Sequence, residues 1–238
     1  MGNNVLIVGA SGDIGMAISK RLAQDGYKLI LHYNKNKEIL DYHIKDLGSE
    51  SVLQMIQADL TSSNELKNFL KQLVLPVDHL IFASGKTSFG VFQDATESLM
   101  DEMLALHVKS PWMIIKHLLP YMVQRQGGNI IFITSIWAEQ GASNEVLYSS
   151  VKGSQNSFVK ALAKEVARSG VSVNAVSPGY IDTKMNGHFL EEEKKVITEE
   201  IPMNRAGYPD EVAHVVSFLM DSRSAYIQGE VINITGGW

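Results

Sequence analysis

With 238 residues, 45% of them hydrophobic and 20% charged, the chain is long enough for one α/β domain with a substantial buried core. Its net charge of −5 gives no footprint for nucleic acid and no pull toward anionic lipid. The absence of cysteine excludes disulfides, Cys-ligated zinc and thiol nucleophiles; the seven histidines show no ligand spacing and no apolar run reaches about 18 residues, so neither a metal site nor a membrane span is expected.

The N-terminus enters an apolar strand with no basic stretch before it, which argues against a secretory signal. Leu6 stands where a myristoylation pattern beginning at Met1-Gly2 needs Ser or Thr. A cytoplasmic location is expected. Residues 5–8 are a continuous apolar run ending in Gly9, the pattern of a strand buried on both faces. Ile14, Ala17, Ile18 and Leu22 then mark one face of a helix that stops near Gly26. The alternation continues, with strands expected at 28–33, 52–57, 79–83, 129–134, 171–176 and 230–234. Helices are expected at 37–46, 64–73, 98–124, 145–168 and 209–220. Strands alternating with helices imply right-handed crossovers, hence a doubly wound, Rossmann-like, seven-stranded parallel sheet with helices on both faces. No linker interrupts the run, so residues 1–238 read as a single domain. Residues 184–200, which mix Met185, Phe189, Leu190, Val196 and Ile197 with a charge run, read either as a surface helix or as a substrate lid.

Three places carry chemistry. The first strand leads into Gly9, Ser11, Gly12, Asp13, Ile14 and Gly15 and then a helix, whose N-terminus offers N–H groups and a favourable dipole to phosphate. At the end of the second strand no acid precedes Glu38; Asn34, Lys35 and Lys37 suit a 2′-phosphate, so NADP(H) is expected ahead of NAD(H), unless these are plain loop lysines. Thirteen and seventeen residues after Ser135 come Tyr148 and Lys152, one helical turn apart. At ~5–6 Å and an effective dielectric of ~20 the ammonium contributes ~3 kcal/mol, enough to bring a tyrosine from ~10 to ~8. Such a phenol serves as a general acid at neutral pH.

With the glycine loop, Ser135, Tyr148 and Lys152 in this order, the chain resembles the short-chain dehydrogenase/reductase family over residues 5–238. Asp59-Leu60, Asn174 to Gly179, Ile181, Thr183, Gly229 and Gly236-Gly237 support the resemblance, and residues 201–213 resemble the 3-oxoacyl-acyl-carrier-protein reductase branch. The resemblance implies an NADPH-dependent ketone reductase. Ser135 would polarise the carbonyl, Tyr148 would donate the proton, and Lys152 would lower the tyrosine's pKa and bind ribose. Asp59 and Leu60 would meet adenine, Ser84 and Gly85 would lie on the cofactor wall, and Pro178, Gly179, Ile181 and Thr183 would line the carboxamide. The family also implies a homotetramer built on the two long helices and the last strand, with Trp238 as an interface anchor.

The chain departs from the family in three places. Asp13 holds a glycine position, and its carboxylate must point away from pyrophosphate or weaken binding. Residues 82–85 keep only the last glycine of the family's Asn-Asn-Ala-Gly. His107 stands at the asparagine of the catalytic tetrad, where the family uses a backbone carbonyl and water to reach the lysine; a direct role and a plain core histidine are both open. Ser84-Gly85, residues 107–111, residues 135–137 and residues 141–148 are similar to an elongation factor P 5-aminopentanone reductase subgroup. Its implied substrate is a ketone on a modified lysine of that translation factor. The wall between Ser135 and Tyr148 brings Trp137, Glu139 and Glu145, and an inward acid would select a cation. An acyl-carrier substrate would instead use Arg125 and Arg168, expected near the mouth. A dinucleotide-binding sensor or scaffold without turnover is the reading from another class.

Overall fold

A computed structural model of the chain describes residues 3–48, 50–187 and 189–238. Met1 and Gly2, where the myristoylation pattern was considered, and His188 within the 184–200 segment lie outside the described residues. Among the described residues seven strands form one parallel sheet in the order β3-β2-β1-β4-β5-β6-β7. They are β1 (Asn4–Val8), β2 (Lys28–Tyr33), β3 (Val52–Gln57), β4 (His79–Phe82), β5 (Gly128–Ile133), β6 (Val171–Pro178) and β7 (Val231–Ile234). Val5 sits beside Leu29 on one neighbour and His79 on the other, so the order reverses at β1. That reversal opens a crevice at the carboxyl ends of the strands, where a ligand is held in such sheets.

The continuous apolar strands are explained by two cores, one on each face. Leu6, Val8, Ile30, Leu80, Phe82 and Phe132 pack against α3 (Ser63–Gln72), α5 (Ser110–Arg125) and α7 (Val146–Val166), through Phe69, Ile114, Met122 and Val159. Their alternating neighbours Val5, Ile7, Leu29, Leu31, Ile81 and Ile131 pack against α1 (Asp13–Gln24), α2 (Lys37–Leu47) and α9 (Pro209–Met220), through Ile18, Leu22, Leu40 and Val216. The period of two along each strand thus supplies both faces of the sheet.

The helix expected at 98–124 is not uniform. It consists of α4 (Glu97–Leu104), a π-type turn at Ala105–Lys109, and α5. Pro111 has no N–H to return to the carbonyl of His107, so the ladder is re-registered and the Ser110 N–H reaches back to Ala105. The short α6 (Trp137–Gln140) had no signal of its own. Residues 184–200 form a 3₁₀ turn at Lys184–Asn186 and α8 (Glu191–Glu200). Among the described residues no helix is long and apolar enough to cross a membrane.

Candidate active site

Two contiguous cavities of about 510 and 530 Å³ run along the carboxyl ends of the strands. Ile14, Ala83, Ser84, Gly85, Thr183 and Met185 border both.

The first cavity takes its walls from the turns after β1, β2, β3 and β4. Gly9, Ser11, Gly12, Asp13, Asn34, Lys35, Asp59 and Leu60 all line it. Gly9 has φ +89°, and a Cβ there would lie 2.5 Å from Ser84 Cα, so only glycine permits this approach. Gly15, expected on the cofactor, borders neither cavity. Its place is structural: a Cβ would meet the Gly9 carbonyl at 2.2 Å and push the loop off the helix. Of the two expected ammonium groups only Lys35 lines the cavity; Lys37 is exposed in α2, 3.6 Å from Asp41. Asp59 accepts the Thr61 hydroxyl and amide at 2.7 and 2.9 Å, and these bonds with the nearby Lys35 hold its carboxyl below the usual range. His32, which the sequence did not single out, also borders this cavity.

Asp13 resolves its own difficulty. Its Oδ2 accepts the backbone N–H of Lys184 at 2.6 Å, tying the first turn of α1 to the start of the 184–200 segment. The carboxylate is thereby directed at the segment's backbone. Met185, Asn186, Phe189, Ile197 and Glu200 of that segment line the second cavity, while α8 has no buried residue, so the segment is a surface helix that also borders the site.

In the second cavity α7 presents Tyr148 and Lys152, and the end of β5 leads to Ser135. Ser135 Oγ accepts the Trp137 N–H at 3.2 Å and lines the cavity together with Tyr148. Lys152 Nζ, only 3% exposed, donates to the Ile133 carbonyl at 2.8 Å and lies 5.6 Å from the Tyr148 ring centre. Burial pushes this ammonium down to about 7. Burial also pushes the Tyr148 phenol up to about 12, with the Glu145 charge adding and the Ser135 hydrogen bond opposing. The expected phenol near 8 is therefore wrong. That figure counted the ammonium's attraction and left out the larger cost of stripping water from a phenolate. Tyr148 is protonated at neutral pH, the state a proton donor needs.

His107 is buried beside the site and borders neither cavity. Its ring stands edge-on to Tyr148 at 6.0 Å, and Nε2 is 2.9 Å from the Lys86 carbonyl. Burial, with the Lys152 ammonium adding, holds it neutral by lowering it to about 3. The His107 carbonyl that Pro111 releases accepts a hydrogen bond from Gln155 Nε2 at 2.8 Å.

The pocket wall divides the expected substrate residues. Trp137 and Glu145 line the cavity, with Glu145 accepting the Thr87 hydroxyl at 2.8 Å. Glu139 does not: it is exposed on α6, whose single turn directs Trp137 inward. Pro178, Gly179, Ile181 and Thr183 line it as expected, and Glu200, Phe89 and Trp238 join without having been foreseen. Trp238 packs edge-on against Trp137 at 5.1 Å, so its ring is part of the cavity wall. Arg125 and Arg168 are not at the mouth. Arg125 ends α5 and Arg168 lies in the turn after α7, both at the amino ends of β5 and β6, the opposite end of the sheet, and Arg125 pairs there with buried Asp78.

A family model described as enoyl-(acyl carrier protein) reductase matches residues 9–238. The chain is 43% identical over 242 aligned positions to the uncharacterized oxidoreductase YmfI of Bacillus subtilis, covering 100% of this chain and 99% of the relative. It is 30% identical over 241 positions to the 3-oxoacyl-[acyl-carrier-protein] reductase FabG of Staphylococcus epidermidis, covering 100% and 99%. Among solved structures it superposes on a 3-oxoacyl (acyl-carrier-protein) reductase from Agrobacterium tumefaciens with NADP bound. The TM-score is 0.91 at 25% identity, covering 100% and 94%. An actinorhodin polyketide ketoreductase with NADPH gives a TM-score of 0.92 at 28% identity, covering 99% and 97%.

Proposed function

The chain belongs to the short-chain dehydrogenase/reductase family of oxidoreductases, and from that premise we propose that it is an NADPH-dependent ketone reductase. The observation that carries this reading is the meeting of Ser135, Tyr148 and Lys152 where a nucleotide-sized cavity opens into a second one. The cradle fits NADP(H). The Gly9 turn excludes a side chain, α1 begins at Gly12 with no side-chain cap on its N–H groups, and Lys35 with Asn34 stands where the second strand lacks an acid. When bound, the cofactor supplies the hydride.

The protein's residues then manage the oxygen. Ser135 accepts from Trp137, which leaves its hydroxyl proton to donate to a ketone oxygen. Tyr148, kept protonated by burial, gives its proton to that oxygen as charge develops. Lys152, anchored on Ile133, stabilises the phenolate left behind. His107 keeps Lys86 and the loop after β4 in place and takes no direct part. Residues 184–200 act as the lid, latched through Asp13, and the working form is a cytoplasmic homotetramer.

Two substrates remain in view. Relatives named as acyl-carrier-protein reductases favour a 3-oxoacyl thioester. The cavity favours a ketone bearing a cation: Glu145 and Glu200 line it among Phe89, Trp137, Tyr180, Phe189 and Trp238, and Lys152 is its sole lysine or arginine among the described residues. A 5-aminopentanone on elongation factor P has that chemistry. NADPH absorbance decay with both substrates tests the reading. The amine-bearing ketone is expected to react at least tenfold faster by kcat/KM, with the preference reversed in Glu145→Gln/Glu200→Gln. Tyr148→Phe is expected to retain NADPH binding and lose at least 10³-fold in kcat. Undiminished reduction by Tyr148→Phe sinks the mechanism, and an unchanged preference in the double variant sinks the cationic substrate.

A further inference from the structure

His32 takes no part in the chemistry proposed above, yet it is the penultimate residue of β2, on the wall of the nucleotide cavity, and is 3% exposed. Its Nδ1 lies 3.2 Å from the Gly9 backbone nitrogen, and its Nε2 lies 3.0 Å from the Ala58 carbonyl oxygen. A backbone N–H only donates and a carbonyl only accepts. The two partners therefore dictate one state of the ring: neutral, with its proton on Nε2. The His32 carbonyl adds a third tie by accepting the Ala10 N–H at 2.9 Å. The plane of the ring is set by Phe69, edge-on at 5.2 Å.

We infer that His32 is a positioning residue for the nucleotide, a neutral spacer that sets the distance between two walls of its cavity. One wall is the turn holding Gly9, Ser11 and Gly12; the other is the turn holding Asp59 and Leu60. Gly9 has no slack on its other side, where Ser84 would meet even a Cβ at 2.5 Å. A change at the ring is thus passed to the loop that faces phosphate. Protonating Nδ1 would set N–H against N–H and drive Gly9 away. Asp59 is the acid that faces the ring and favours the proton; burial opposes it and prevails. Lys35 acts mainly on Asp59. Asp13 is engaged with the Lys184 amide, and Lys86 with Glu102 closes the far rim at 2.8 Å.

This inference rests on the cavity being a dinucleotide site, and the test separates the two. In the full chain without cofactor, nitrogen NMR of the histidine rings is expected to show His32 as the Nε2–H tautomer at pH 7, titrating below pH 5. In NADP⁺ titrations, His32→Leu is expected to bind about tenfold more weakly than the parent, the worth of one lost hydrogen bond with its unpaired partner. His32→Gln, which both accepts and donates, is expected to recover part of that loss. A His32 ring protonated on Nδ1, a ring titrating near 6.5, or parental affinity in His32→Leu overturns the inference alone. A parent that does not bind NADP⁺ brings down the cofactor reading and this inference together. If His32→Leu does not fold, the tautomer and titration of the parent's ring decide.

Discussion

Lys152 shows how one residue is set by two opposing terms. Its ammonium is fully enclosed, and the shift from 10.5 to about 7 is worth about 5 kcal/mol at ~1.4 kcal/mol per pKa unit. The bond to Ile133 returns only part of that, because a buried charge-assisted hydrogen bond contributes about 1.5–3 kcal/mol. A Lys152→Met variant should therefore be inactive and more stable, melting several degrees higher at pH 6 by calorimetry. Between about pH 7 and 10.5 the unfolded chain holds a proton that the folded protein has released, so the parent gains stability as pH rises through this window. The variant's advantage should shrink over the same range. An advantage that stays constant from pH 6 to 10 would mean the ammonium is not desolvated. The identities of Ser135, Tyr148 and Lys152 were legible in the sequence because spacing on one helix and one strand end is local. Their titration was not, since burial is a property of everything packed around them.

At the scale of elements, the strands were legible because runs buried on both faces leave a continuous apolar signal. The long helix expected at 98–124 was legible as a helix but not in its interruption, although Pro111 carries the cause. Missing one N–H frees the His107 carbonyl, and whether a new donor arrives depends on Gln155, 48 residues further along the chain. Residues 184–200 show the same limit. Their apolar residues among charges fit a surface helix or a cavity wall equally well, and the contact from Asp13 that ties down their first turn spans 171 residues. Asp13→Ala should loosen this latch, raising the ketone KM about fivefold, as expected for one partly exposed hydrogen bond. NADPH affinity in that variant should be equal or better, because an acid beside the phosphate site is gone. Initial-rate kinetics with each substrate varied in turn would check both halves; an unchanged ketone KM would remove the latch.

For the whole molecule, a seven-stranded parallel sheet gathers the cavity-lining residues at the carboxyl ends of its strands and returns α5 and α7 to the amino ends. This geometry moved Arg125 and Arg168 away from the mouth, where a reading by sequence proximity had them. The outer faces of the long helices carry exposed apolar side chains: Leu104 is 52% exposed and Trp112 is 48% exposed, its ring stacked on Phe158. That is the surface a homotetramer would cover. Sedimentation at micromolar concentration should give four copies of 26.3 kDa, and a monomer there would exclude the assembly.

By itself, then, the sequence determined the periodicities of the strands and helices, hence the doubly wound sheet, and the order in which the glycine loop, Ser135, Tyr148 and Lys152 arrive. These depend on backbone geometry and on neighbours within a turn or two. Only the tertiary structure decided which acids line the second cavity: Glu145 and Glu200 do, and Glu139 does not. It also decided that the His32 ring accepts the Gly9 N–H, that Trp238 walls the cavity, and that Tyr148 is held up near 12 instead of down near 8. The reason is common to all of them. Desolvation and side-chain direction are set by atoms distant in the chain, and no spacing along the chain records them.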